Sequence, residues 1–330
     1  MMLPTNRRAL LASAALLALG TAFGVRPATA QAQGPIIIMG KGGWLFPGWE
    51  SLTASDTAGI QNVVQLIKDT KDRLAARNIL LMPLVVPLKA NFYPDKLPDG
   101  TTVSADVKAR YDFILAQLKA SGLDAVDLRP AMKAVETGKQ TIFFRADYHW
   151  TAWSAEAAAD TVAKAIQAKV KLSGAPGTGD KLGDWVTQRN LGDLAQRFLS
   201  PDQQKAVGPD LYTVRIPPED KKGLLDAAPA PVHVVGNSFV QPYLGFPQKL
   251  SNALDRPVSL TWNVGNIGPW FTFLQYVGSP GFAKQPPQVI VWQFNEGQFH
   301  SGPEATGQWD APSILAPQVW RDRMTAAVGK

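Results

Sequence analysis

Short apolar runs alternate along this 330-residue chain with segments whose apolar residues recur every three to four positions. A chain patterned this way has few means of burying its apolar surface, and alternating strands and helices lead to a parallel α/β sheet. The helical pattern "DTAGIQNVVQLIKDTKDRLAARN" runs into the strand-like "ILLMPLVV". A second helical segment, "SADVKARYDFILAQLKASG", precedes a short expected strand, "DAVDL". A third, "SAEAAADTVAKAIQAKV", is followed after a gap by "APVHVVGNSF", "VSLTWNV" and "PQVIVWQF", each read as a strand. The region from about Leu172 to Ala230 is rich in Gly, Pro and charge and reads as an insertion or cap on the main domain, 31–330.

The N-terminus reads differently. Arg7 and Arg8 precede an apolar run from Ala9 to about Gly24, and Ala28 and Ala30 place small residues before Gln31. That order of parts is an export signal over 1–30, of either the general secretory or the twin-arginine kind. The run is short for a membrane span, which needs about 20 apolar residues. Export from a bacterial cytoplasm to the periplasm is the expected outcome. With no cysteine the exported chain forms no disulfide and has neither a thiolate nucleophile nor a cysteine metal site. Removing the signal takes away three arginines and no acids, lowering the formal charge from +6 to +3. That charge, without a basic cluster, gives no ground for nucleic-acid binding.

The stretch "VVGNSF" brings Ser238 to a strand end, where open α/β sheets bind their ligands. A helix starting near Val240 or Gln241 would aim its positive end at the same spot. Ser238 is then either a nucleophile for acyl transfer or a serine capping a helix. A nucleophile needs a base, and the chain holds three histidines. His233 sits inside the strand and reads as a packed residue; His300 lies in a Gly-rich polar stretch and reads as a surface residue. His149 follows Asp147 by two positions in "FFRADYHWTAW", just before a helix. That spacing lets the carboxylate orient the imidazole and stabilise its protonated form. Metal ligation competes, but two ligands make a poor shell.

"RADYHWTAWSA" resembles the Asp-x-His-Trp signature of the bacterial alginate O-acetyltransferases, the periplasmic SGNH-hydrolase-like polysaccharide acetylation proteins. "IIIMGKGGWLF", "LVVPLKANFYPDKLP", "VVGNSFVQ" and "VIVWQFNE" resemble further segments of that family in the same order. The resemblance spans about Ile36 to Phe299. It implies an SGNH-hydrolase-like, flavodoxin-like α/β fold: a parallel sheet with helices on both faces and catalytic elements in permuted order, Asp147 and His149 before Ser238. It implies Ser238 as nucleophile, His149 as base and Asp147 as its orienter. It also implies transfer of acetyl to a polysaccharide acceptor without a cofactor, and a membrane-bound O-acyltransferase partner that supplies the acetyl group. Asn237, Ser154 and "WQFNE" depart from the family pattern and put the acceptor sugar in doubt more than the chemistry. An acetyl esterase with the same three residues, or a non-catalytic polysaccharide-binding subunit, are the rival readings.

Supporting residues are less determined. The Ser238 N–H is one expected oxyanion donor; Asn266 or the Gly268 N–H is a second, unless "NVGNIGPW" is a plain strand-to-helix loop. Arg145 either binds an acidic sugar or pairs with a carboxylate at the core edge. Lys89 and Tyr93 are expected at the rim of the site. Trp150 and Trp153 either stack on sugar rings or pack in the core.

Overall fold

The structure, a computed structural model, describes residues 36–138, 140–216 and 229–329. The signal expected over 1–30 lies outside the described residues. The strands are β1 (Ile37–Met39), β2 (Leu45–Pro47), β3 (Leu80–Val86), β4 (Trp185–Asn190), β5 (Asp210–Arg215), β6 (Val232–Gly236), β7 (Val258–Trp262) and β8 (Val289–Asn295). The helices are α1 (Thr57–Ala75), α2 (Lys89–Phe92), α3 (Ala105–Ala120), α4 (Arg129–Val135), α5 (Ala152–Gln167), α6 (Asp193–Phe198), α7 (Pro201–Val207), α8 (Phe246–Leu254), α9 (Gly268–Val277), α10 (Pro280–Lys284) and α11 (Pro317–Val328). No helix among the described residues is long and apolar enough to cross a membrane.

The central sheet has four strands in the order β3-β8-β6-β7, with every pairing parallel. β3, β6 and β8 are largely apolar and buried because both faces of the sheet are covered there, whereas β7, "VSLTW" at the other edge, is half-buried. Successive side chains leave a strand on opposite faces. Met82, Leu84, Val86, Val232, Val234, Val289 and Val291 therefore pack with α5 and α8 on one side. Leu81, Val85, Val235, Ile290, Trp292 and Phe294 pack with α1, α9 and α11 on the other. Val162 and Ile166 of α5 are fully buried, which stabilises the layer by about 1.5–3 kcal/mol per side chain. Asp56 caps α1 by accepting from the Gly59 N–H at 2.9 Å, and Ser104 caps α3 from Val107 at 3.2 Å. Pro83 lies in β3, an edge strand, where its missing N–H breaks no ladder.

The expected strand "DAVDL" is not one. Residues 124–128 are irregular. Tyr111 stands between this segment and the sheet edge: its hydroxyl donates to the Val85 carbonyl at 3.0 Å and accepts the Leu128 N–H at 3.4 Å. A side chain thus takes the place of a direct ladder at the edge of β3.

Between α5 and β6, β4 and β5 pair antiparallel from Trp185↔Arg215 to Asn190↔Asp210, with α6 and α7 in the connection. This two-stranded ribbon and its helices make up much of the region read from sequence as an insertion or cap. They cross to the Asp147 segment, as the site shows.

Candidate active site

At the carboxyl end of β6 the chain turns sharply. Asn237 Oδ1 accepts the Phe239 N–H at 3.0 Å, and Ser238–Val240 form one 3-10 turn. The helix expected from Val240 or Gln241 starts instead at Phe246, after a second 3-10 turn beginning at Pro242. Pro242 has no N–H to continue a helical ladder from the first turn. The turn is held from β8: the Gln293 side-chain oxygen accepts the Asn237 N–H at 2.9 Å. Gly236 permits this approach, since a Cβ there would lie 2.7 Å from both Gln293 Oε1 and Val240 Cγ2. Among the described residues nothing accepts the Ser238 N–H, which leaves it available to an oxyanion.

The Asp147–His149 segment meets this turn. Asp147 Oδ1 accepts from both the His149 backbone N–H at 2.8 Å and its ring Nδ1 at 2.7 Å. His149 Nε2 lies 2.7 Å from Ser238 Oγ. Burial alone would raise the Asp147 carboxyl; His149 and the donors around it outweigh that and hold it well below the usual carboxylate range. Burial disfavours the imidazolium of His149, but the Asp147 charge more than offsets it, and the histidine lies above its ordinary value. Chemically, such an arrangement can draw a proton from Ser238 Oγ and return it to a leaving group.

Two further groups on Asp147 escaped the sequence reading. Its Oδ2 accepts from the Asp193 N–H at 3.1 Å and from the Tyr212 hydroxyl. Asp193 Oδ1 in turn accepts the Tyr148 N–H at 2.7 Å, and Oδ2 lies 3.7 Å from His149 Nδ1. Burial and the neighbouring Asp147 charge push Asp193 up to about 7. Both residues come from the ribbon region, Asp193 on α6 and Tyr212 on β5. Gly192 allows the close approach: a Cβ there would sit 2.1 Å from the Ala146 carbonyl oxygen. Asp147, His149 and Asp193 are near enough together to hold a metal ion. Ligation would cost existing bonds, because both ring nitrogens of His149 already face partners.

Ser238 and His149 open onto a cleft of about 280 Å³ lined also by Trp49, Tyr148, Arg197, Phe198 and Asn266. Asn266 is the one supporting residue from the turn that reaches it, tethered through Nδ2 to Asp310 Oδ1 at 2.6 Å. Gly268 does not serve as a donor, since its N–H is spent on the Gly265 carbonyl. Arg145 pairs with a carboxylate: Nε lies 2.9 Å from Asp210 Oδ1, away from the cleft. Lys89 is no rim residue. It is 1% exposed, and Nζ donates to the carbonyls of Leu45, Arg145 and Asp147 at 2.7, 2.9 and 2.9 Å. Burial draws its pKa down to about 7, while three acceptors call for the three hydrogens of the ammonium form. Tyr93 is buried too, its hydroxyl accepting the Ile142 N–H at 2.7 Å. Trp150 stacks on no sugar: it is 0% exposed, and its indole donates to the Phe239 carbonyl at 2.9 Å, bracing the serine turn. Trp153 is paired with Trp185, ring centroids 6.1 Å apart.

The other histidines are elsewhere. His233 stacks on Tyr276 at 3.4 Å and bridges Ser259 and Thr261, and burial brings its pKa down to about 3. His300 is partly buried and does not line the cleft.

A family model described as "SGNH hydrolase-like domain, acetyltransferase AlgX" matches residues 37–296. The chain belongs to this family. It is an SGNH-hydrolase-like O-acetyltransferase by that membership, as the relatives agree. It is 29% identical over 278 residues to the probable alginate O-acetylase AlgJ of Pseudomonas fluorescens, covering 79% of this chain and 68% of the relative. It is 30% identical over 283 residues to the probable alginate O-acetylase AlgJ of Pseudomonas putida, covering 79% and 70%. In three dimensions it is similar to the O-acetyltransferase domain of Pseudomonas putida AlgJ, with a TM-score of 0.71, 27% identity and coverage of 88% of this chain and 99% of that one.

Proposed function

We propose that this SGNH-like acetyltransferase acetylates an exported, alginate-like polysaccharide in the periplasm through an acetyl-serine intermediate on Ser238. The observation that carries the reading is the contact of His149 Nε2 with Ser238 Oγ at 2.7 Å, on an imidazole whose other nitrogen is held by Asp147 at 2.7 Å. The names of the relatives supply the polymer; the N-terminal pattern of the sequence supplies the compartment.

In the first half-reaction Ser238 Oγ attacks the acetyl carbonyl carbon while His149 Nε2 takes the hydroxyl proton. The negative oxygen meets the Ser238 N–H and the Asn266 side-chain amide. The tetrahedral adduct collapses, the bond to the donor's leaving group breaks, and His149 returns the proton to that group. A sugar hydroxyl then attacks the acetyl ester, giving its proton to His149, and Ser238 leaves with that proton restored. Asp147 stabilises the imidazolium in both halves. The donor is an acetyl group handed over by a membrane-bound O-acyltransferase, since export separates the enzyme from cytoplasmic acetyl carriers.

The test is intact-protein and peptide mass spectrometry after incubation with a small activated acetyl ester. One acetyl group on Ser238, lost in Ser238→Ala and discharged faster when oligosaccharide is added, is expected. Undiminished turnover in Ser238→Ala would overturn the acyl-enzyme.

A further inference from the structure

We propose that Arg197, Phe198 and Trp49 form an acidic-sugar subsite at the mouth of the Ser238 cleft. The proposal rests on reading the cleft as the site of acetyl transfer to a polysaccharide, and names which side chains select that polymer.

Trp49 and Phe198 are 36% and 38% exposed, yet both line the cleft that holds Ser238. Their ring centroids are 5.8 Å apart, and Trp49 also meets Tyr148 edge-on at 5.5 Å. A packed aromatic cluster left open to solvent costs free energy unless something covers it. The C–H face of a pyranose ring fits such a wall, with its hydroxyls left to the amides of Gln298 and Gln308 in the same cleft.

Arg197 sets the charge. Among the residues lining the cleft it is the permanent cation. No described carboxylate forms an ion pair with it. Its guanidinium lies 5.4 Å from the centroid of the Phe198 ring, which restrains the side chain beside the aromatic wall. The acid in the lining, Asp193, is turned inward: one oxygen accepts the Tyr148 N–H at 2.7 Å and the other faces His149 at 3.7 Å. A guanidinium beside an aromatic platform, without a protein carboxylate to satisfy it, suits a sugar that carries its own carboxylate. One short helix, α6, thus delivers Asp193 to the Asp147–His149 pair and Arg197 with Phe198 to the acceptor.

The experiment measures binding by calorimetry in the Ser238→Ala protein, so that bound sugar is not altered. The probes are an alginate hexamer and the same hexamer with its carboxyl groups reduced to alcohols. The unreduced hexamer is expected to bind more tightly, and more weakly as salt is added. Adding Arg197→Gln should weaken the acidic hexamer about 10- to 100-fold and leave the reduced one within about threefold. Arg197→Lys should recover part of the loss. Phe198→Ala should weaken both hexamers alike. Equal affinity for the two probes before mutation, or an Arg197→Gln effect equal on both, would overturn the subsite. Acidic preference lost with Arg197, in an enzyme whose Ser238 form acetylates no sugar, would keep the subsite and overturn the transfer reading.

Discussion

Gln293 on β8 accepts the Asn237 N–H at 2.9 Å, so a strand neighbouring β6 fixes the backbone from which Ser238 projects. The Gln293 side chain is buried, and its amide donates onward to Asn295 Oδ1 at 2.7 Å. Gln293→Leu would leave the Asn237 N–H buried without an acceptor. We expect kcat for ester turnover to fall about 10- to 100-fold with a smaller change in KM, because the nucleophile is displaced rather than removed. Gly236→Ala should act in the same direction by pushing Gln293 aside. Steady-state kinetics on folded variants decide this; a Gln293→Leu enzyme with parental kcat would mean that the turn holds itself.

His149→Ala should lose nearly all turnover, since an unactivated serine hydroxyl is a weak nucleophile at neutral pH. Asp147→Asn should cost on the order of 10⁴-fold, the scale seen when a triad loses its orienting acid. His233→Ala and His300→Ala should keep most activity, since neither histidine lines the cleft. A folded Asp147→Asn enzyme working at the parental rate would place the base elsewhere.

The pH dependence has a defined sign. A base must be unprotonated to act, so activity should rise with pH through the His149 pKa, which the Asp147 charge sets above its ordinary value. The midpoint in kcat/KM should therefore exceed about 6.5. Asp193, pushed up to about 7 by burial and the Asp147 charge, becomes a second negative group 3.7 Å from Nδ1 only as pH rises through that value. Asp193→Asn removes the charge it then carries, so the upper part of the acid limb should move to lower pH. A limb that stays put, or moves up, would show that Asp193 does not influence His149.

Lys89, on α2, ties β2 to the 145–147 segment through the carbonyls of Leu45, Arg145 and Asp147. Lys89→Met keeps the stem but strands three buried acceptors. Stability should drop by on the order of 3 kcal/mol or more, read from the urea midpoint. Activity at a temperature where the variant is folded should fall as well, because the Asp147 backbone loses its anchor. A midpoint equal to the parent's would show that water replaces the ammonium without cost.

Much of the frame was legible because its signals are local. The apolar runs of β3, β6 and β8 and the periodic faces of α1, α3 and α5 each lie within one segment, and burial on both sheet faces demands that composition. The Asp147–His149 contact was legible for the same reason, since its partners are two residues apart. "DAVDL" has the composition of a strand, but whether it joins the sheet depends on Tyr111, seventeen positions before Leu128. From sequence Lys89 is expected at the rim, and Trp150 either on a sugar ring or in the core; the fold buries both and gives each its acceptors, three carbonyls for Lys89 and the Phe239 carbonyl for Trp150. Asp193 and Tyr212 lie 46 and 65 positions from Asp147, on α6 and β5, in a region with no motif of its own. Short-range pattern and spacing encode most of the strands and helices, the family likeness and the local Asp-x-His pair, so these could be read from the chain alone. Which carboxylate and cation line the Ser238 cleft, and which phenol holds Asp147 from behind, is settled in three dimensions, because chain folding sets the distances between residues so far apart in sequence.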